Sequence, residues 1–227
     1  MTNIPKTDDQ VDQWRSVMFL YDSALKRVNT KIEILNNEFT NRYDYNPIEH
    51  IKSRLKTADS IVKKLKKDGY EVTIENMMEH LSDIAGIRII CSFTSDIYQI
   101  AEMIAHQADV TVLHVKDYIK NPKPNGYKSY HMVVTVPVYL SDGPVETKVE
   151  VQIRSVAMDF WASLEHKIAY KFEGNAPENL LKELKACADI VDMLDAKMFS
   201  LNEAITAYAA EQRRQEQQAA KTEEEFL

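Results

Sequence analysis

Four groups of residues in this 227-residue chain have the types and spacing to handle phosphate, a nucleobase or a hard cation. Asp83 and Arg88 bracket the start of a run, Ile84 to Cys91, that is otherwise apolar and would be free of charge in an ordinary strand. A charge there needs a partner. An internal salt bridge or a helix cap would serve; so would Mg²⁺ on Asp83, since that ion takes one or two carboxylates plus phosphate oxygens, with Arg88 stacking on a base. The second group is Val145–Arg154, which alternates strictly and puts Glu146, Lys148, Glu150, Gln152 and Arg154 on one wet face. An ordinary half-exposed strand has the same pattern, but Glu150 on a rigid strand beside Gln152 could also be a base or a metal ligand. The third is the stretch from Lys116 to His131, with four lysines, three tyrosines, two prolines and a glycine. Lysines neutralise phosphates, and a nucleobase stacked on an exposed Tyr gains roughly 1–3 kcal/mol; a surface loop of no function is the competing reading. Last, Ile51 to Asp68 holds seven basic residues (Lys52, Arg54, Lys56, Lys63, Lys64, Lys66, Lys67) against Asp59 and Asp68. That is a local basic patch, or simply a solvated helix face.

The rest of the composition narrows the classes. A net charge of -7 argues against a polyanion binder held by bulk charge, so no DNA partner is expected. With 44% hydrophobic residues the chain can bury a core, and a disordered or fibrous protein is excluded. No Walker-type loop, G-x-G-x-x-G, C-x-x-C or H-E-x-x-H is present, so P-loop, Rossmann, zinc-ribbon and metalloprotease readings fail. Cys91 and Cys187 read as unpaired thiols. No apolar stretch is long enough for a membrane span, and MTNIPKTDDQ lacks the features of a signal peptide, so a cytoplasmic protein without a membrane partner is expected.

Helical spacing from Asp9 to Phe39 predicts a long amphipathic helix. Asn46-Pro47 is expected to open a second, with Ile51, Leu55, Ala58, Val62 and Leu65 as its buried stripe and Asp68-Gly69 as its end. β-Branched residues predict strands at Gly86–Phe93, Val110–Val115, Tyr130–Tyr139 and Val145–Arg154, with a helix from Asp96 to Gln107 between the first two. Helical period returns from Met158 to Phe172 and from Pro177 to about Gln212, before a polar tail expected to fray. The fold class is α/β (α+β): a mixed β-sheet flanked by helices.

Asp83-Ile-Ala-Gly-Ile-Arg88, Lys116-Asp-Tyr-Ile119, Asn125-Gly-Tyr-Lys-Ser-Tyr-His131 and Glu150-Val-Gln-Ile-Arg154, in that order and spacing, resemble the synthetase domain of the RelA/SpoT family. Arg54-Leu-Lys56 with Ser60 and Lys64, then Phe160-Trp161-Ala162 and Glu165-His166, extend the match over roughly Pro47 to Lys171. The flanking helices resemble those of stand-alone small alarmone synthetases. The resemblance implies a nucleotidyltransferase-like fold with a sheet of about five strands. It divides the chain into an N-terminal helical segment (1–45), a synthetase core (46–173) and a C-terminal helix with a polar tail (174–227).

It also implies transfer of the β,γ-pyrophosphate of ATP to the 3′-hydroxyl of GDP or GTP, with AMP released, in the bacterial stringent response. By the same resemblance Arg54 and Arg88 sandwich the adenine, and Lys56, Ser60 and Lys64 bind the ATP phosphates. Asp83 holds Mg²⁺. Tyr127 stacks on the guanine, with Lys116, Lys123, Asn125 and His131 near the acceptor. Glu150 is the general base and second metal ligand, supported by Gln152. A homotetramer is implied. Alarmone hydrolysis is not expected, because this chain contains no His-Asp pair. In the RelQ-like branch, a Phe, a Thr and an Asn help form the site where the alarmone stimulates its own synthesis. Here His50, Lys52 and Asp159 stand at those places, which favours the RelP-like branch. The alternative from another class is a non-enzymatic RNA-binding regulator, which needs the basic patch and the Lys/Tyr loop but neither Asp83 nor Glu150.

Overall fold

A computed structural model describes residues 8–170 and 177–225. Helix α1 (Asp8–Arg42) is a single 35-residue amphipathic helix that lies against β-strands of the central sheet and buries Leu20, Tyr21, Ala24, Leu25, Val28 and Ile32. It is tied down as well as packed. Asp109, before the third strand, accepts from Arg27 Nη2 (2.5 Å) and Lys31 Nζ (2.7 Å).

The segment after α1 departs from the expected helix. Ile48–Leu55 is an edge strand, β1, and only Ala58–Lys67 is helical (α2). The misreading has a physical cause. β1 carries a register shift between Ile48 and His50, and burial therefore runs Ile48, Ile51, Leu55 rather than every second residue. That spacing imitates one face of a helix. Thr57 caps α2, accepting from Ser60 N at 3.4 Å.

A short helix that periodicity did not reveal, α3 (Ile74–His80), leads to β2 (Ala85–Cys91). Helix α4 (Thr94–Ala105) follows, then β3 (Thr111–Asp117), β4 (Tyr130–Leu140) and β5 (Gly143–Ser155). The five-stranded sheet runs β1-β2-β5-β4-β3, with β2 and β5 parallel and the other pairs antiparallel. This is the expected mixed sheet. Val149, Val151 and Ile153 of β5 face a core that includes Ile87, Ile89, Ile97, Ile100 and Val134. The opposite face carries Glu150 and Gln152.

Helix α5 (Val156–Tyr170) starts directly from β5, with Ser155 Oγ accepting from Met158 N at 3.2 Å. Residues 171–176, where the end of that helix and the 173/174 division are expected, lie outside the described residues. Helix α6 (Glu178–Glu225) does not stop near Gln212. Ala, Glu, Gln, Lys and Arg are good helix formers, and they carry it through most of the polar tail.

Asp195 pins α6 to the sheet, accepting from Ser155 Oγ (2.7 Å) and Thr94 Oγ1 (3.2 Å) while only 8% exposed. Burial pushes its carboxyl above the usual range despite those two hydroxyls. A carboxyl raised by folding destabilises the native state once pH exceeds both its unfolded and folded values. Asp195→Asn, which keeps an acceptor and loses the charge, is expected to raise Tm at pH 7. The gain should shrink to nothing as pH falls below the ordinary carboxylate range, where both states are protonated. Thermal melts of the two proteins across that range check it.

Candidate active site

Strand register assembles the site. Lys52 pairs with Arg88, Arg88 with Gln152, Gln152 with His131, and His131 with Lys116. One row of polar side chains therefore crosses all five strands. In the next row Arg54 and Glu150 flank Gly86. A Cβ at Gly86 would have no atom nearer than Arg54 O at 4.0 Å, so the glycine leaves open floor between an arginine and a carboxylate. Lys52, Ser53, Arg54, Asp83, Gly86, Arg88, Glu150 and Gln152 are among the residues lining the resulting cleft of about 170 Å³.

The ATP-site candidates gather on the β1/β2 side of that cleft. Arg54 is on β1, Lys56 lies just after it, and Ser60 and Lys64 are on α2, so the expected basic helix is in fact a strand and a helix meeting at a turn. Lys56 Nζ donates to Asp83 Oδ2 at 2.5 Å. Lys64 Nζ forms an ion pair with Asp83 Oδ1 at 2.9 Å. Burial raises the Asp83 carboxyl, but the two lysines outweigh it and hold it below the usual range. Ser60 Oγ shares a 2.8 Å hydrogen bond with Thr57 Oγ1.

The acceptor-site candidates occupy the β3–β4 loop and the start of β4. Asn125 Oδ1 accepts from Tyr127 N (3.2 Å), and its amide donates to Glu165 Oε1 (3.3 Å). Lys123 Nζ lies 4.7 Å from the Tyr127 ring centroid and 4.8 Å from that of Tyr118. Lys116 shares the row of His131 but is exposed on β3, toward the sheet edge. Helix α6 backs the loop: Tyr127 and Val191 pack against the cluster of Trp161, Ala162 and Ala188, and Lys128 Nζ donates to Asp192 Oδ1 (2.5 Å).

Glu150 stands between the two groups. Burial raises its carboxyl, yet His131 Nδ1 (3.2 Å) and Gln152 Nε2 (2.9 Å) more than offset that and hold it below the usual range. It is therefore a carboxylate at neutral pH. Tyr127 Oη contacts His131 Nε2 at 2.9 Å and accepts from Arg154 Nη2 at 2.5 Å. A neutral His131 with its proton on Nδ1 satisfies every one of these contacts. Arg154 corrects one expectation: it is not on a wet face but buried, 4% exposed, because Tyr127, Ser129, Gln152 and Asp159 surround its head group. The sequence reading places Asp159 only against an Asn of the RelQ-like alarmone site, and gives Lys128 and Asp192 no role of their own. They lie on loop and helix positions that only tertiary packing brings here.

The residues suit a divalent cation. Two carboxylates, Asp83 and Glu150, line one cleft, and their neighbours hold both below the usual carboxylate range. Among the described residues no cluster of three or more His, Cys, Asp or Glu forms a complete protein cage. A cation that completes its shell with phosphate and water needs none.

A family model described as the region found in RelA / SpoT proteins matches residues 53–175, more than half of the chain. The chain belongs to the RelA/SpoT family. Within it, the GTP pyrophosphokinase YwaC of Bacillus subtilis (strain 168) is 44% identical over 205 residues, covering 90% of this chain and 98% of the relative. The crystal structure of small alarmone synthetase 2 from Bacillus subtilis is 45% identical, with a TM-score of 0.77 over 85% of this chain and 99% of that one. Small alarmone synthetase 1 from the same organism, bound to its product pppGpp, is 33% identical with a TM-score of 0.78, over 85% and 97%. The five-stranded mixed sheet is thus a RelA/SpoT synthetase fold. Among the described residues no helix is long and apolar enough to cross a membrane.

Proposed function

We propose that this chain is a GTP/GDP pyrophosphokinase that moves the β,γ-pyrophosphate of ATP to the ribose 3′-hydroxyl of GDP or GTP, making ppGpp or pppGpp and AMP. The observation that carries this is Glu150. It is an ionised carboxylate on the strand between a Lys/Arg cluster and a Lys/Tyr loop, where a base must sit if it serves two nucleotides at once. The named relative is a GTP pyrophosphokinase matched over nearly its whole length, and one structural neighbour holds pppGpp as its product.

In this reading Arg54 and Arg88 grip the adenine, and Lys56, Ser60 and Lys64 take the ATP phosphates. Lys56 and Lys64 pair with Asp83, and would turn to the phosphates when ATP arrives. Asp83 and Glu150 would hold Mg²⁺, which supplies charge neutralisation on the transferring group. Tyr127 offers its ring to guanine, with Lys123, Lys116, Asn125 and His131 around the acceptor's ribose and phosphates, and Gln152 fixes Glu150. Glu150 takes the proton of the 3′-hydroxyl as its oxygen bonds to the β-phosphorus; the bond from that phosphorus to the α–β bridging oxygen breaks, and AMP leaves with the oxygen. Positioning and charge dominate such a transfer, and no covalent enzyme intermediate is needed.

The synthetase core at 46–173 would hold all of these residues. Exposed apolar side chains on α5 and α6, among them Phe160, Leu164, Met193, Leu194, Met198 and Ile205, exceed what a lone chain usually shows. A homotetramer in the cytoplasm accounts for them, and light scattering distinguishes it from a monomer. The functional reading is tested by the leaving group. Protein, ATP, GDP and Mg²⁺ should give AMP in step with the new guanosine nucleotide; free pyrophosphate would instead mean adenylyl transfer.

A further inference from the structure

Asp159, in the first turn of α5, is a carboxylate shared by two arginines. One of its oxygens, Oδ1, accepts from Arg88 Nη1 at 3.3 Å and from Arg154 Nη1 at 3.2 Å, with its side chain 16% exposed. Each arginine makes a different set of contacts. Arg88 lines the cleft beside Arg54. Arg154 donates from Nη2 to Tyr127 Oη (2.5 Å) and Gln152 Oε1 (3.2 Å) and from Nε to Ser129 Oγ (3.3 Å), and its guanidinium carbon lies 5.0 Å from the Tyr127 ring centroid.

Charge explains why a carboxylate is needed here. Arg88 is part-buried, its Nε has no hydrogen-bond partner among the described residues, and both Arg154 and Arg54 act on it as like charges. Asp159 is the counter-charge shared by Arg88 and Arg154. Without it the two guanidiniums would repel, and Arg88 would have no fixed direction. A second consequence follows on the acceptor side, where Arg154 holds the Tyr127 ring by its hydroxyl and along its ring.

We propose that Asp159 is a positioning residue for both substrates: through Arg88 it aims the adenine clamp, and through Arg154 it fixes the guanine platform. This rests on the nucleotide assignments made under the proposed function. Asp159 touches neither nucleotide in that scheme, so its effect must pass through the two arginines.

The test measures binding of a non-hydrolysable ATP analogue and of GDP, separately, by calorimetry in Mg²⁺ buffer. Four proteins are compared: wild type, Asp159→Asn, Arg88→Ala and the double variant. A lost charge-assisted hydrogen bond corresponds to about tenfold in affinity or more, so Asp159→Asn should weaken both nucleotides by about that factor. In the Arg88→Ala background the same change should leave ATP-analogue affinity within about twofold of Arg88→Ala alone, yet still weaken GDP by its full factor. A residue that merely stabilises the fold gives additive losses for both ligands. Additive losses, a loss confined to one nucleotide, or tighter binding from removal of a negative charge would each overturn the proposal. Should Asp159→Asn not fold, Asp159→Glu keeps the charge one methylene out of place and should still weaken both nucleotides; unchanged affinity for either overturns it. Wild-type protein that binds neither nucleotide contradicts the functional reading itself, whereas wild-type binding with the wrong variant pattern contradicts only the role of Asp159.

Discussion

Glu150→Gln is expected to abolish pyrophosphate transfer while both nucleotides still bind. The substitution keeps the shape of the side chain and removes the β5 carboxylate that lines the cleft. A positioned general base contributes typically about 10²–10⁴-fold, so kcat should fall by at least two orders of magnitude. Binding should change little, because the base-stacking groups, Arg54, Arg88 and Tyr127, are untouched. Glu150 is also proposed to hold Mg²⁺, so a moderate rise in the metal concentration needed for binding is consistent with the account. The checking measurement is single-turnover rate together with the affinity for each nucleotide. Turnover near that of the wild type would remove Glu150 from the chemistry.

Gly126→Ala should cripple the acceptor side alone. Gly126 has φ +90°, a backbone that L side chains rarely adopt, and a Cβ there would lie 2.5 Å from Ala188 Cβ on α6. It would also meet Lys185 Cδ at 3.1 Å, but that flexible chain can give way and a methyl on a helix cannot. Left-handed backbone costs an L residue roughly 1–2 kcal/mol, and overpacking typically costs about 1–3 kcal/mol more. The loop relieves both by moving off α6, and Tyr127, the next residue, moves with it. The KM for GDP or GTP should rise about tenfold or more, with the KM for ATP unchanged. Ala188→Gly in the same chain should recover part of the loss by removing the colliding methyl, though not the backbone strain. Steady-state kinetics with each nucleotide varied in turn decide it; an unaltered acceptor KM would show that the loop is not held by α6.

How far the sequence revealed this site depended on whether the chemistry lay in a local pattern or a tertiary one. The alternation of Val145 to Ile153 was legible, and it correctly set Glu150 and Gln152 against a buried face. Residue types in the Lys116–His131 stretch gave the loop its character, and register alone then carries His131 to Gln152. β1 was misread because a bulge on an edge strand resets which residues are buried, leaving Ile48, Ile51 and Leu55 at helical spacing. The consequence is functional: Arg54 and Lys64 sit on different elements and converge from two directions, where a single helix would have strung them along one surface. Arg154 was placed in water by alternation, but α5 and the β3–β4 loop close over the end of β5 and bury it. For Asp159 the sequence offered only the comparison with an Asn of the RelQ-like alarmone site, and no local signal for a contact with Arg88. It lies 71 residues from Arg88 in the chain, and only the fold brings the two together.

The most direct test of the central claim follows the phosphorus. Purified protein is mixed with Mg²⁺, GDP and ATP labelled at the β-phosphate, and the nucleotides are separated. Label should appear on a guanosine nucleotide that carries two more phosphates than GDP, in step with AMP, and should be absent with Glu150→Gln. Label that stays in ATP or ADP while both substrates are shown to bind would contradict it, and would leave the fold as a nucleotide-binding or RNA-binding regulator.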